Sequence, residues 1–494
     1  MDNQLYLGID IGTYESKGVL TDSKGNVHGQ VAVRHEMIIP KQGWAEHNPM
    51  DVWWGDFISI TKMLLGQEDI SPEKIASVSV SAIGPCMLPI DQDANPLYSG
   101  VLYGVDTRAS EEINYLNELI GEKNILEFGG NALTSQSIGP KILWLKRRHP
   151  TIFERASKIV SSTTFIVQKL TDQCVMDHYT ASNFSPFYDK SKLQWDDHLA
   201  PGIIEIQKLP ELKWTSEIAG YITEKASQET GLDSGTPVTV GTIDAAAEAI
   251  SVGVRKPGHM MIMYGSTMFF IGLTSKDESD ESLWSSPWLF ENEYSLMAGT
   301  STSGTITQWF QKEFARELDK SEAFTELTKL ASKSPIGSKN LITLPYFSGE
   351  RTPIQNPKAS GVFFGLNLTH TREDIYRSLL EGISYGANHI IETFVSAGFE
   401  PQALFAVGGG VKNEIWTTSI SNISGFDQVV KSKTIGAAYG NAFLGALALG
   451  HIKRVEIDNW NQTSRIIKAT FNPVYSKQYE LFKKLYKNTA HLMG

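Results

Sequence analysis

The chain has 494 residues, 41% of them hydrophobic and 20% charged, and a net charge of −11. That length allows two large domains or three small ones. The acidic balance argues against polyanion binding, which needs clustered Lys and Arg, and no basic run is longer than the KRRH at 146–149, a solvated helix end. The two cysteines, Cys86 and Cys174, lie in no CxxC or Cys/His cluster, so neither a disulfide framework nor a zinc site is expected. The start, MDNQLYLGID, has no basic region or long apolar stretch, and AFLGALALG is too short to span a bilayer. A cytoplasmic protein with no nucleic-acid or membrane partner is expected.

Taken in chain order, Leu5, Leu7, Ile9 and Ile11 alternate as a strand, then meet a Gly-Thr turn and a second strand through Val19 and Leu20. Asp10 occupies a polar place in that alternation, at the lip of the turn. Residues 48–65 predict a helix with Asn48 as cap and Pro49 at its first position. Residues 76–84 read as a buried strand ending in glycine. VGTIDAAAEAISVGV (240–254) reads as a strand giving way to a helix of small residues at Asp244. MMIMYGSTMFFIGLTS (260–275) echoes the opening hairpin. A glycine and hydroxyl run leads into an amphipathic helix to 314, with Trp309, Phe310 and Phe314 expected in the core. Thr371 and Asp374 form a capping-box-like start to a long helix that Gly398 stops. ALFAVGGG then meets the helix KNEIWTTSISNISG. Strands alternating with helices predict an α/β architecture. The internal echo predicts two similar domains, residues 1–246 and 247–494, whose glycine hairpins face one ligand.

A glycine turn carrying a hydroxyl exposes backbone N–H groups that can wrap phosphate oxygens. A carboxylate beside phosphates points to a bridging Mg²⁺. Either hairpin taken alone is equally an ordinary turn. Asp244 reads two ways, as a helix cap or as a general base accepting a hydroxyl proton. The triple glycine 408–410 reads either as flat backbone for a base or as a plain strand-to-helix turn.

Together and in order, DIGTYESK, GWAEHNPMDVWW, GPKILWLKRRHP (with Lys141 and Trp144), GTIDAAAEA, YGSTMFF, PYFSGERTP, GVFFGLNLTHTREDIYRSLLEGISYG and VGGGVKNEIW resemble the FGGY family of carbohydrate kinases over essentially the whole chain. The resemblance implies two actin-like (ribonuclease H-like) domains with an active-site cleft between them. It also implies ATP with Mg²⁺ as cofactors and a sugar as substrate, and it leaves room for a homodimer. It implies Asp244 as catalytic base and Asp10 as metal ligand. Gly12, Thr13, Lys17, Gly265, Ser266, Thr267, Gly304, Gln308, Gly408, Gly409, Gly410 and Asn413 fall on the nucleotide side. Lys17 touches phosphate on one reading and is a solvated strand lysine on the other.

Gly84, Pro85, Asp106, Arg108 and Asp244 are implied on the sugar side, with the alternative that Asp106 and Arg108 pair with each other. The spelling lies nearest the xylulose-kinase-like branch, yet Ile83, Gly84 and Pro85 stand where a Gln-Met-His-like stretch is usual. D-xylulose is the first expectation, with ribulose, a pentitol or gluconate as alternatives. A non-catalytic actin-like ATP-binding protein is the remaining one, which the presence of both Asp10 and Asp244 argues against.

Overall fold

A computed structural model describes residues 4–319 and 322–493. Two mixed sheets form its halves. In the first, the strand Leu5–Ile11 pairs antiparallel with Glu15–Thr21, which pairs in turn with Val27–Arg34. On its other side Leu5–Ile11 runs parallel to Ile75–Ala82, followed by Pro237–Thr239 and Ile218–Tyr221. The second sheet repeats the pattern. His259–Tyr264 pairs antiparallel with Met268–Thr274, then Tyr294–Gly299, and runs parallel to Ala403–Val407 and Gln428–Lys431. The echo read between the two hairpins is thus an echo of five strands in the same order, and the two-domain α/β architecture is borne out.

The opening strand is buried on both faces, although its alternation suggests one polar face. The reason is a helix from the far end of the chain. Ala437–Ala448 lies on the face carrying Gly8, so close that a Cβ on Gly8 would sit 2.0 Å from the Ala438 carbonyl oxygen. The same helix crosses Asp244–Ser251, where a Cβ on Gly440 would sit 1.9 Å from the Ala247 oxygen. The small residues of the Asp244 helix therefore admit another backbone. They also join the halves, because Ala246, Ala249 and Ile250 share one core with Tyr6, Val19, Met261, Ile271, Ala438 and Ala442. The divide expected between residues 246 and 247 falls inside this helix. Gly440→Ala is expected to cost at least about 1–3 kcal/mol by overpacking, read as a lower urea midpoint at unchanged slope.

Local expectations hold where the signal is local. Asn48 accepts the N–H groups of Met50 and Asp51, and the helix begins with a π-turn, Pro49–Trp54, before Gly55–Leu65. Thr371 and Asp374 form the capping box of Arg372–Ser396. Phe314 is a correction. It ends the helix Gly304–Phe314 and is 48% exposed, whereas Phe310 is fully buried; the apolar stripe narrows at the last turn. No helix among the described residues is long and apolar enough to cross a membrane.

Candidate active site

Five strands deliver their C-terminal ends to the cleft between the sheets: Leu5–Ile11, Ile75–Ala82, Thr242–Ile243, His259–Tyr264 and Ala403–Val407. Side chains and turns at such ends converge without needing long loops. A cavity of about 350 Å³ there is lined by Asp10, Gly84, Pro85, Asp244, Glu248 and Thr267. It continues into a second hollow through Tyr103, Thr134, Gln136, Thr267, Trp284 and Arg351.

Three carboxylates share the first cavity. Asp10 accepts the Ser81 hydroxyl at 2.7 Å, and Ser81 in turn accepts the Asn441 amide at 2.7 Å. Burial pushes Asp10 up to about 6 against the pull of Ser81 and Lys17. Burial and the Asp10 charge push Asp244 well above the ordinary carboxylate range. Burial and Asp10 push Glu248 up to about 7. Ligand-free, this is a site of mutual repulsion that a cation would relieve. Among the described residues no group of three or more His, Cys, Asp or Glu is arranged to hold a metal alone. The carboxylates gathered in one cavity fit Mg²⁺, which binds through one or two carboxylates with phosphate and water supplying the rest.

Asp244 is the first residue of its helix rather than its cap. Ile243 occupies the cap position, and Asp244 Oδ1 accepts the N–H of Ala245 at 2.6 Å. Gly12 donates its N–H to Glu15 O, closing the first turn. Lys17 lies opposite Asp10 in the hairpin, and its ammonium is 3.3 Å from Glu15. It is a strand lysine that also lowers the pKa of Asp10 and Glu248.

The second turn, Gly265 to Thr267, is bound to the helix behind it. Gly304 N–H donates to Gly265 O and Thr305 N–H to Ser266 O. A Cβ on Gly304 would lie 2.4 Å from the Gly265 oxygen, so that glycine serves packing of the turn. Gln308 is exposed on the same helix. Gly408 and Gly410 pack against Tyr264, while Gly409 faces open space. A 3₁₀ turn, Gly409–Lys412, takes in the last two glycines and precedes the helix Glu414–Ser424, which Asn413 caps by accepting Trp416 N–H.

Asp106 and Arg108 pair with each other, one of the two readings of these residues. Arg108 Nε and Nη2 donate to Asp106 at 2.7–3.0 Å, and Nη2 also reaches Glu46 at 2.8 Å. Arg108 stacks 4.0 Å from the Trp44 ring and 4.9 Å from that of Trp144, and neither Asp106 nor Arg108 lines the cavity. Lys141 explains the Lys-x-x-Trp segment: fully buried, it donates to Leu102 O at 2.6 Å and Tyr103 O at 3.2 Å, fixing the loop that carries Tyr103 to the cavity wall.

The polar wall missing at Gly84 and Pro85 comes from residues that sequence reasoning missed: Asn131, Thr134, Gln136, Ser182 and Asn183. The amide-rich NALTSQS before the helix Ile138–Arg148 was the available signal. Asn131 also bridges the cleft, donating to Ser285 O and accepting Ser285 N–H, both at 2.9 Å. Lys190 makes a parallel bridge to Asp277 at 2.6 Å.

Comparison with known proteins agrees with this layout. Residues 5–251 match the N-terminal domain of the FGGY family of carbohydrate kinases, and residues 260–449 match its C-terminal domain. The chain is 27% identical over 500 residues to a gluconokinase of Bacillus licheniformis, covering 99% of this chain and 96% of that one. It is 26% identical over 502 residues to a xylulose kinase of Escherichia coli (strain K12), covering 99% and 100%. The crystal structure of xylulose kinase from Rhodospirillum rubrum superposes with a TM-score of 0.91 at 26% identity, covering 99% and 100%. With both domains matched in order across its two sheets, this chain belongs to the FGGY family of carbohydrate kinases and is an ATP-dependent sugar kinase.

Proposed function

We propose that this enzyme transfers the γ-phosphoryl group of ATP to a primary hydroxyl of a ketopentose, D-xylulose first, in the cytoplasm. The observation that carries the reading is a single cavity shared by Asp244, Asp10 and Thr267 on one side and by the amides of Asn131, Gln136 and Asn183 on the other. The amides suit a row of sugar hydroxyls, since a site built from hydrogen-bonding groups rejects molecules that leave them unpaired. Asp244 accepts the hydroxyl proton. The turns at Gly12–Thr13 and Gly265–Thr267 hold phosphate oxygens, and Gly409 lies along the adenosine. Asp10 holds Mg²⁺, which when bound neutralises charge on the phosphates. Burial and the Asp10 charge raise the pKa of Asp244, which strengthens it as a proton acceptor, and N–H donors of the opposed turns favour its ionised form.

Arg351 favours a second reading. It lines both hollows, and its Nη2 donates to the Thr300 carbonyl. Its Nε is buried without a partner, and no carboxylate lies within ion-pair distance among the described residues. A half-buried guanidinium with spare donors suits a carboxylate, which an aldonic acid such as gluconate carries and a ketopentose does not.

An ADP-release screen over ketoses, polyols and aldonic acids, ranked by kcat/KM, separates the readings. Arg351→Gln is expected to cost about 10–100-fold in kcat/KM on an aldonate, the worth of a charged hydrogen bond, and far less on a neutral ketose. A ranking led by gluconate or by glycerol defeats the ketopentose reading and leaves the kinase standing.

A further inference from the structure

Behind the first glycine turn lies a buried network that the phosphate-transfer reading does not use. His35 follows the strand Val27–Arg34, and His47 closes the short strand Glu46–His47 within the GWAEHNP segment. His35 Nε2 is 3.1 Å from Gly12 O, and His47 Nε2 is 3.1 Å from Thr13 O. A carbonyl can only accept, so both Nε2 atoms carry the donated proton. Each ring is locked from behind. His35 Nδ1 meets Asp56 Oδ2 at 2.7 Å, and that oxygen also accepts the Ser16 hydroxyl at 2.6 Å. His47 Nδ1 accepts the indole N–H of buried Trp53 at 3.1 Å, which fixes the neutral Nε2–H tautomer. Burial and the neighbouring His35 hold His47 down at about 4, in keeping with that tautomer.

Two consecutive carbonyls are therefore drawn away from the cleft. In a trans peptide the C=O of one residue and the N–H of the next point in opposite directions. Pulling back Gly12 O and Thr13 O turns the N–H groups of Thr13 and Tyr14 the other way. Neither N–H has an acceptor within the chain among the described residues.

We infer that His35 and His47 are positioning residues, a two-histidine brace that aims the Thr13 and Tyr14 N–H groups at the reacting phosphate of the nucleotide. This rests on the kinase reading for the occupant of the turn. Donors already aimed at developing charge cost no reorganisation during reaction, and Asp56, Ser16 and Trp53 hold the rings that aim them.

A matched set of variants tests the brace. His35→Asn and His47→Asn keep an amide near Nδ1 and remove the donor at Nε2. His35→Gln and His47→Gln carry an amide nitrogen out to the Nε2 position. In the Asn variants kcat/KM for ATP at saturating sugar is expected to fall about tenfold or more, the scale of a displaced reacting group. The Gln variants should recover most of it, and KM for the sugar should stay within about twofold throughout. Should the His47 variants fail to fold, the His35 pair decides. Asn and Gln variants that behave alike, or a lower melting temperature with unchanged kinetics, would make the histidines structural and overturn the inference while the kinase stands. A wild-type protein that releases no ADP with any sugar would overturn the kinase reading and this inference with it.

Discussion

Replacing Asp244 by asparagine is expected to lower kcat by about 10²–10⁴-fold, the usual worth of a positioned base, while raising the melting temperature of the ligand-free protein by roughly 1–3 °C. The two effects come from one cause. Asp244, Asp10 and Glu248 share a buried cavity, and the charges of Asp10 and Glu248 add to burial in raising the pKa of Asp244. A group whose folded pKa lies above its unfolded value binds its proton more firmly when folded. Its contribution to stability is therefore lost as pH rises from the unfolded value toward the folded one. For Asp10 that window runs from about 4 to about 6; Asp244 is shifted in the same direction. Asparagine removes the titrating carboxyl from the cluster and flattens that part of the pH dependence. It also keeps an Oδ1 to accept the Ala245 N–H, which the aspartate holds at 2.6 Å. A purely structural residue behaves oppositely, losing stability and keeping turnover. Calorimetric melting of ligand-free wild type and variant at pH 5 and pH 8, beside steady-state kinetics, separates the two. Near-wild-type turnover in Asp244→Asn would remove Asp244 from the chemistry.

What the sequence made legible was local. The two hairpins, the Asn48 cap and the Thr371–Asp374 capping box are each written within a few residues, so their spelling suffices. The carboxylates at the ends of their strands followed, because a strand end is a local event. The cavity wall did not. Asn131, Gln136 and Asn183 sit on connections whose path depends on how a separate core, around Ile138, Trp144 and Phe184, is seated on the first sheet. One buried lysine, Lys141, ties that core to the Tyr103 loop through backbone carbonyls, a contact no spacing rule predicts. Asp106 and Arg108 carried two readings for a related reason. Two charged residues two apart look like a ligand pair, but closing on each other beneath Trp44 and Trp144 satisfies most of their hydrogen-bonding capacity. The histidine brace escaped because its partners are carbonyls, which leave no mark in a sequence.

The triple glycine offers a second large effect, because its three members answer to different constraints. Gly408 has φ +96°, and a Cβ there would lie 2.6 Å from the Tyr264 oxygen. Gly410 would put a Cβ 2.6 Å from the Trp416 ring and 2.9 Å from Tyr264 Cβ. Valine at either position is expected to cost about 1–3 kcal/mol or more, through backbone strain at the first and overpacking at the second. Gly409 is neither: its φ is unexceptional, and a Cβ meets nothing within 4 Å. The protein itself has no need of glycine at 409. If the empty side of that backbone is kept for a nucleotide, Gly409→Val should fold and melt like wild type yet bind ATP at least about tenfold more weakly, the loss of roughly 1.4 kcal/mol, with sugar affinity little changed. Urea unfolding of the three valine variants, set beside ATP titrations of Gly409→Val, distinguishes packing from ligand. Unaltered ATP binding in a well-folded Gly409→Val protein would return the whole run to the status of a tight turn, since Gly408 and Gly410 already account for its close approach to Tyr264.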